Sequence, residues 1–368
     1  MSTRRIAVMG LGEAGLGIHL PALAGMSDVT VVGACDPDPE RRARAGERWG
    51  IPGFETLEEL LAKSRPEVVV VATPPALHAG HVIACVESGA HVICEKPLAG
   101  SLVEVDRIAE AARRSERVVV PNHEFRLMPI FEAVLTAVAE RGPVRLVDAR
   151  QLFGRPPGTE AGWRGRLLRR TLFEAGVHLV DLTLALFGER PAGVVASIGS
   201  AGGRPGSDAV VVATLDFSAG RLAHLALSRI HPGRTRYLEL RADTETASIF
   251  ASYGGRARLI AGLEGPRPVL RLELGASGLA WCEEGDRRRT LARNGRRPRR
   301  SATRRLLAQT LAAIAEGGAP PVSLEEARAG LEVVAACYRS AELGRRVVLG
   351  READTHLAAL DLAAPAGR

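Results

Sequence analysis

Three glycines near the start of the chain have the spacing of a phosphate-binding turn. Gly10, Gly12 and Gly15 form a GxGxxG pattern that follows the apolar run RRIAVM and opens a stretch able to form a helix. The first glycine permits a tight turn, the second lets a pyrophosphate approach the backbone, and the third lets the helix pack on the strand. Since a helix N-terminus also attracts phosphate charge, we predict a dinucleotide-binding turn that includes Glu13 and Ala14.

An acidic residue ends the second predicted strand. Asp36 follows VTVVGAC, where a carboxylate accepts hydrogen bonds from the adenosine ribose and repels a 2'-phosphate. Arg41 and Arg42 come next and could bind that phosphate, but their surroundings, PDPERRARAGERW, are those of an ordinary helix face. We therefore predict NAD as the cofactor, with NADP as the alternative.

Lysine is scarce enough in this chain to make each one notable. Of 49 basic residues only Lys63 and Lys96 are lysines. Arginine can serve nearly every surface role, whereas a compact or proton-transferring amine has to be lysine. Lys96 follows a predicted strand, and ligands of open α/β sheets bind beyond the carboxyl ends of the strands. We predict a role for Lys96 in the chemistry of the site.

The elements that position these residues alternate between strand and helix. Apolar runs predict six parallel strands covered by helices on both faces, a Rossmann-type doubly wound α/β sheet. After Asn122 the pattern changes to helices with several alternating strands, typical of a C-terminal α+β domain with a mainly antiparallel open sheet. We predict a dinucleotide-binding domain over residues 1–122, a substrate-binding and oligomerisation domain over 123–350, and a tail over 351–368.

The segment VVVVATPPALHAGHVIACVESGAHVICEKPLAGS, residues 68–101, resembles the Gfo/Idh/MocA family, named after glucose-fructose oxidoreductase, inositol dehydrogenase and a rhizopine-catabolism protein. The resemblance implies that the ATPP turn lies against the nicotinamide and that the EKP motif brings a lysine to the reaction centre. The implied cofactor-binding residues of these motifs are Ala72, Thr73, Pro74, Pro75, His78, Glu95 and Lys96, with Asn122 beyond them. His81 we interpret as a residue that packs within its helix.

A second motif, TLFEAGVHLVDLTLALFG, resembles the family helix with the pattern DxxxHxxD. His178 matches the acid-base histidine and Asp181 the later aspartate, whereas Glu174 stands where most members have aspartate. Residues four apart share one helix face, so Glu174 and His178 can reach one pocket. Looser similarity implies that Arg126, Trp163 and Arg164 border the substrate, together with Lys96, Glu174 and His178.

The resemblance implies an enzyme that transfers hydride between a nicotinamide and a secondary alcohol or ketone carbon of a sugar, cyclitol or nucleotide sugar. The catalytic residues would be Lys96, His178 and Glu174. Two alternatives stay open: a dinucleotide-binding regulator without turnover, and a glycoside-cleaving enzyme that retains its NAD. Family analogy also implies a homodimer or homotetramer.

Positive charge is concentrated in one stretch of the chain. Ten arginines and no acidic residues occur from Arg287 to Arg305. Without interleaved aromatic residues, and with Gly295 and Pro298 inside it, we expect a solvated loop and no nucleic-acid partner. A second group of arginines would lie near the pocket and makes an acidic substrate an alternative to a neutral one. Its members are Arg155, Arg164, Arg166, Arg169 and Arg170.

The remaining composition suggests a cytoplasmic protein. Five scattered cysteines show neither a disulfide framework nor zinc-ligand spacing, so no metal is predicted. No apolar run is long enough to span a bilayer. Arg4 and Arg5 precede an apolar run, but that run is too short and glycine-interrupted for an export signal.

Overall fold

The structure, a computed structural model, describes residues 3–153, 162–231, 237–254, 257–264, 267–274 and 278–350. The chain forms two compact units. The first contains residues up to 124 together with 299–328, and the second contains 125–298 together with the residues from 329 onward. A single cut after residue 122 therefore does not describe the division, since a later segment returns to the first unit. The predicted tail over 351–368 lies outside the described residues.

The first unit contains a six-stranded sheet in which every pair is parallel. The strand order β3-β2-β1-β4-β5-β6 reverses direction at β1, which confirms the doubly wound Rossmann prediction. The pattern of the sequence located every strand but β3, whose two residues are too few to show a period. The strands are β1 Arg4–Met9, β2 Val29–Cys35, β3 Gly53–Phe54, β4 Val68–Val71, β5 His91–Cys94 and β6 Val119–Pro121.

Helices follow these strands and begin at recognisable caps. The Asp38, Thr56 and Ser101 side chains each accept a hydrogen bond from a backbone N–H in the first turn of the next helix. A π-helical turn, Gly15–His19, leads into the first of them. The helices are α1 Leu20–Leu23, α2 Pro39–Trp49, α3 Leu57–Ser64, α4 Pro75–Glu87 and α5 Leu102–Arg114.

The second unit contains a nine-stranded sheet in the order β16-β15-β12-β11-β7-β10-β9-β8-β17. Only the β7–β10 pair is parallel among its described pairs, which confirms the predicted mainly antiparallel sheet. A separate hairpin is formed by β13 and β14. The strands are β7 Leu146–Leu152, β8 Gly193–Gly199, β9 Val210–Asp216, β10 Leu222–Ser228, β11 Tyr237–Asp243, β12 Ser248–Gly254, β13 Ala257–Glu264, β14 Arg267–Leu274, β15 Leu279–Glu284, β16 Arg287–Arg293 and β17 Val347–Val348.

Four helices accompany this sheet in the sequence, and one of them carries the second motif. The predicted helix over 172–187 is π-helical at Thr171–Gly176 and α-helical only from Val177. Its α-helical part is almost entirely buried, since apolar residues occur on every face and surround its few polar ones. The helices are α6 Pro129–Arg141, α7 Gly162–Arg166, α8 Val177–Phe187 and α10 Leu324–Leu343. Helix α9, Pro298–Glu316, lies between α8 and α10 in the sequence.

The arginine-rich stretch is not a solvated loop, and that expectation was wrong. Its first part is β16 and its last part begins α9, Pro298–Glu316. Arg300 donates to the Gly17 carbonyl oxygen and Arg304 to that of Ala22, both at 3.1 Å. The apolar residues Leu306, Leu307 and Leu311 are buried at helical spacing. From Arg299 onward α9 belongs to the first unit, and its arginines bind backbone carbonyls of the π-helical turn and of α1.

Candidate functional site

The glycine turn of the first unit has the geometry of a phosphate cradle. Gly10 has a φ of +93°, and a Cβ there would lie 2.7 Å from the Ala72 carbonyl carbon. A Cβ on Gly15 would lie 2.0 Å from the Gly10 oxygen, whereas one on Gly12 would meet no described atom within 4 Å. Gly10 and Gly15 thus allow the turn to close tightly, and Gly12 leaves its backbone open to a ligand.

Asp36 stands at the end of β2 with its carboxylate already oriented. The Leu11 N–H donates to Oδ2 at 2.8 Å and the Asp38 N–H donates to Oδ1 at 3.0 Å, and the side chain is buried. Arg41 Nη1 lies 3.5 Å from Oδ2. The oriented carboxylate fits a ribose diol. Arg41, which we expected on an ordinary helix face, lies beside this carboxylate.

The ATPP turn and the EKP motif are joined by His78. This fully buried imidazole has Nε2 2.7 Å from the Thr73 carbonyl oxygen and Nδ1 2.8 Å from that of Pro97. Burial lowers the pKa of His78. His81 lies 3.1 Å from the Thr73 hydroxyl and packs within α4. The histidine of the motif therefore connects two turns that follow neighbouring parallel strands.

Glu95 is the centre of a buried polar cluster at the end of β5. Its Oε1 accepts hydrogen bonds from His19 Nε2 and Asn122 Nδ2, each at 2.8 Å. Burial alone would raise the pKa of Glu95, but the His19 hydrogen bond and the nearby charges of Lys96 and Arg299 outweigh it and lower the pKa. Glu95 is thus a carboxylate, directly before the half-buried Lys96.

A second buried acid, Glu124, belongs to the same unit. Arg299 Nε on α9 donates to its Oε1 at 2.9 Å. Burial raises the pKa of Glu124 more than Arg299 lowers it, and the charge of Glu95 adds to the rise. Sequence reasoning missed Glu124, Arg299 and His19. A lone histidine in the apolar run LGIHLPAL was the available signal for His19.

In the second unit, Glu174 and His178 lie on one continuous helical segment. Glu174 is in its π-helical part and His178 one turn later in α8. The buried imidazole stacks on Phe125, with ring centroids 3.9 Å apart and an angle of 5° between the planes. This contact restricts the orientation of the imidazole, and sequence reasoning did not single out Phe125.

Two guanidinium groups approach the Glu174 carboxylate. Arg164 Nε lies 3.3 Å from Oε1 and Arg229 Nη2 lies 3.9 Å from Oε2. Arg229 also stacks on the Phe153 ring, 4.7 Å from its centroid, and sequence reasoning missed it. Both positive charges therefore lie beside the Glu174 carboxylate. Since Arg164 pairs with Glu174, part of the positive charge of the predicted arginine group is neutralised by an acidic residue of the protein itself.

The other predicted substrate residues occupy defined positions in the same unit. Arg126 forms a two-point ion pair with the buried Asp181, Nε donating at 2.8 Å and Nη2 at 2.7 Å. Trp163 lies under the Arg164 guanidinium at 4.5 Å. Arg169 pairs with Glu342 at 3.3 Å, and Arg155 lies outside the described residues. Arg126 and Asp181 therefore fasten α8 to the turn that carries Phe125.

Each unit thus gathers its own set of predicted residues. The first unit brings together the glycine turn, Asp36, the ATPP turn, His78, Glu95, Lys96 and Asn122 around the carboxyl ends of its strands. The second brings together Arg164, Glu174 and His178. A Rossmann sheet with this glycine cradle and an oriented Asp36 defines a protein that binds a nicotinamide dinucleotide.

Comparison with known proteins gives the family. Residues 4–123 match the oxidoreductase family described by its NAD-binding Rossmann fold, and residues 135–250 match the C-terminal domain of the same family. The chain belongs to the Gfo/Idh/MocA family of oxidoreductases, which confirms the resemblance found in the sequence.

Curated relatives include a scyllo-inositol 2-dehydrogenase (NADP(+)) of Bacillus subtilis, 28% identical over 54% of this chain and 55% of the relative. A myo-inositol 2-dehydrogenase of Thermotoga maritima is 26% identical over 61% of this chain and 68% of the relative. The first of these matches spans only about half the length of either protein.

Solved structures share the whole fold. A dehydrogenase of Bordetella pertussis, in complex with NADH and UDP-GlcNAcA, has a TM-score of 0.75 at 21% identity over 95% of this chain and 99% of its own. An aldose-aldose oxidoreductase of Caulobacter crescentus has a TM-score of 0.77 at 22% identity over 94% and 100%. Within the described part of the chain, no helix is long and apolar enough to cross a membrane.

Proposed function

We propose that this protein is a dehydrogenase or reductase that moves a hydride between NAD and a secondary alcohol or ketone carbon of a sugar, cyclitol or nucleotide sugar. The observation that carries the proposal is the position of Lys96. One of only two lysines directly follows the buried, ionised Glu95 at the carboxyl end of β5. Ligands of a doubly wound sheet bind beyond these strand ends.

When bound, the nicotinamide supplies a hydride acceptor in one direction and a donor in the other. Lys96 donates a hydrogen bond to the reacting oxygen and stabilises its developing negative charge. His178 takes the hydroxyl proton as a neutral imidazole. Glu174 orients the imidazole or binds a neighbouring hydroxyl. In the reductive direction the proton moves the opposite way between the same groups.

The two lysines of the chain allow a matched test. We expect Lys96→Met to lower kcat by about 100-fold or more, as loss of a group that stabilises transition-state charge does. Lys63→Met, on the exposed face of α3, serves as the control and should keep full activity. Dinucleotide affinity, measured by fluorescence titration, should stay near that of the parent in both variants. Unchanged turnover by Lys96→Met would refute the assignment.

The substrate is found by following reduced-cofactor absorbance over a panel of neutral sugars, acidic sugars, inositols and nucleotide sugars, with NAD and NADP in parallel. We expect reduced cofactor to accumulate with at least one member and preferentially with NAD, because Asp36 disfavours a 2'-phosphate. Tight dinucleotide binding without turnover of any member would instead support the regulator. Glycoside cleavage with permanently bound NAD and no net NADH would support the retained-cofactor enzyme.

A further inference from the structure

Two side chains from distant parts of the second unit cap the start of the helical segment that carries Glu174 and His178. One is Asp208, in the loop before β9, and the other is Tyr338, on α10. Four consecutive backbone N–H groups donate to this pair: Arg170 and Thr171 to Asp208 Oδ1 at 2.7 and 2.8 Å, Leu172 to Oδ2 at 2.8 Å, and Phe173 to the Tyr338 hydroxyl oxygen at 3.2 Å.

The first four N–H groups of a helix have no partner inside it. Here the helix start is buried, and a buried unsatisfied N–H costs about 1–3 kcal/mol. A carboxylate is also the charge that a helix N-terminus favours. Asp208 and Tyr338 supply all four partners, although Asp208 is 36 to 38 residues away in sequence and Tyr338 is 165 away.

Asp208 and Tyr338 are themselves joined. The Tyr338 hydroxyl donates to Asp208 Oδ2 at 2.6 Å, and both side chains are buried. Burial and the neighbouring carboxylate raise the pKa of Tyr338 far above its usual range, so the hydroxyl keeps its proton. It therefore donates to Asp208 and accepts from Phe173 at the same time. Asp208 thus connects the helix start to the loop before β9, and Tyr338 connects it to α10.

We propose that Asp208 and Tyr338 are positioning residues for Glu174 and His178. They touch no reacting atom, and they act by fixing where the helical segment begins and in which direction it runs. Since Glu174 lies one residue beyond the capped N–H groups, a shift of the helix start moves its carboxylate directly. This inference rests on the proposed function of Glu174 and His178.

Tyr338→Phe removes one hydroxyl and keeps the ring. We expect kcat to fall by roughly 10-fold, because a small displacement of a catalytic group is costly, while KM and dinucleotide affinity change by less than about 2-fold. Asp208→Asn, which weakens three of the cap hydrogen bonds, should lower kcat further. The pH profile of kcat, which reports the ionisation of the catalytic acid and base, should move in both variants.

Ser340→Ala is the matched control for loss of a buried hydroxyl from the same helix. Ser340 donates to the Arg345 carbonyl oxygen at 2.7 Å and accepts from the Ala196 N–H at 2.9 Å, so it fastens α10 to β8 and not to the cap. We expect Ser340→Ala to lose stability with kcat and the pH profile unchanged. An equal fall of kcat in Ser340→Ala and Tyr338→Phe would overturn the inference, as would an unchanged kcat in Tyr338→Phe.

Hydrogen exchange separates failure of this inference from failure of the proposed function. The Phe173 amide should exchange at least about 10-fold faster in Tyr338→Phe than in Ser340→Ala, since its cap bond to the Tyr338 hydroxyl is lost. Should His178→Asn retain full turnover, the proposed function is wrong, yet the exchange comparison still decides whether the pair caps this helix. Equal protection in the two variants would show that it does not.

Discussion

Gly12 and Gly15 belong to one motif but face different surroundings, and this difference can be measured. A Cβ at Gly15 would meet the Gly10 backbone oxygen, which cannot move cheaply, whereas one at Gly12 meets open space. We expect Gly15→Ala to lower the free energy of unfolding by about 1–3 kcal/mol through overpacking. Gly12→Ala should fold normally and bind NAD at least about 10-fold more weakly, because its methyl group occupies the pyrophosphate path.

Thermal unfolding and NAD titration distinguish these two effects. Gly17→Ala, where a Cβ also meets no described atom within 4 Å, is the control and should change neither quantity appreciably. A Gly12→Ala variant that binds NAD as the parent does would contradict the assignment of this turn to the pyrophosphate.

Glu95 makes a pH-dependent contribution to stability. Its pKa in the folded protein is lowered, so its contribution is complete above the unfolded pKa of about 4.3 and is lost as pH falls through the folded value. We expect Glu95→Gln to reduce the free energy of unfolding by about 1–3 kcal/mol at pH 7. The deficit should shrink only in acid, below about pH 4.3.

Urea unfolding at pH 7, 5 and 3.5 would measure this deficit. The exposed Glu110→Gln, which affects only surface pairs with Arg113 and Arg114, should have a small effect at every pH. A deficit that is the same at all three values would mean that the charge of Glu95 is not what stabilises the cluster.

Residues that stand in short sequence motifs could be singled out from the sequence, whereas residues that contact these motifs from distant parts of the chain could not. Asp36, Glu95, Lys96 and His178 stand in motifs whose spacing is short. The residues that contact these motifs come from far along the chain: His19 contacts Glu95, Arg229 contacts Glu174, and Tyr338 contacts the start of the helical segment that carries His178. No pattern of neighbouring residues records such a pairing, because it exists only once the strands and helices have packed.

At the scale of elements, α9 is the part that the sequence described least well. A run of arginines has the composition of a solvated stretch, and only the buried leucines behind it indicate a packed helix. Arg304 donates to the Ala22 carbonyl oxygen and lies so close to Gly25 that a Cβ there would contact its guanidinium. The start of α9 therefore fastens the end of the first helix of the Rossmann unit.

Replacing Arg304 by methionine keeps most of the apolar stem and removes the guanidinium. We expect Arg304→Met to lower the free energy of unfolding by about 1.5–3 kcal/mol, the scale of a lost hydrogen bond to a charged group. Arg287→Met on the exposed edge of β16 is the control and should have little effect. Chemical denaturation measures both, and equal losses would show that the Arg304 contacts contribute nothing specific.

At the scale of the whole molecule, the fold class followed from the sequence because two periodicities occupy separate stretches. Continuous apolar strands alternate with helices up to residue 122, and alternating strands dominate afterwards. The composition of the units could not be predicted in the same way. Residues 299–328 belong with the first unit although they follow β16 of the second sheet in sequence, and local patterns carry no information on which core a helix joins.

The return of residues 299–328 has a consequence for the order in which the protein is made. A ribosome releases the glycine turn well before the helix whose arginines bind the carbonyls behind that turn, and eight of the nine strands of the second unit's main sheet are made in between. Domains commonly fold in the order of their synthesis. In this chain, synthesis of the dinucleotide-binding unit begins before that of the second unit and ends after most of the second unit has been translated. A nascent chain stalled before residue 299 therefore carries an incomplete Rossmann unit.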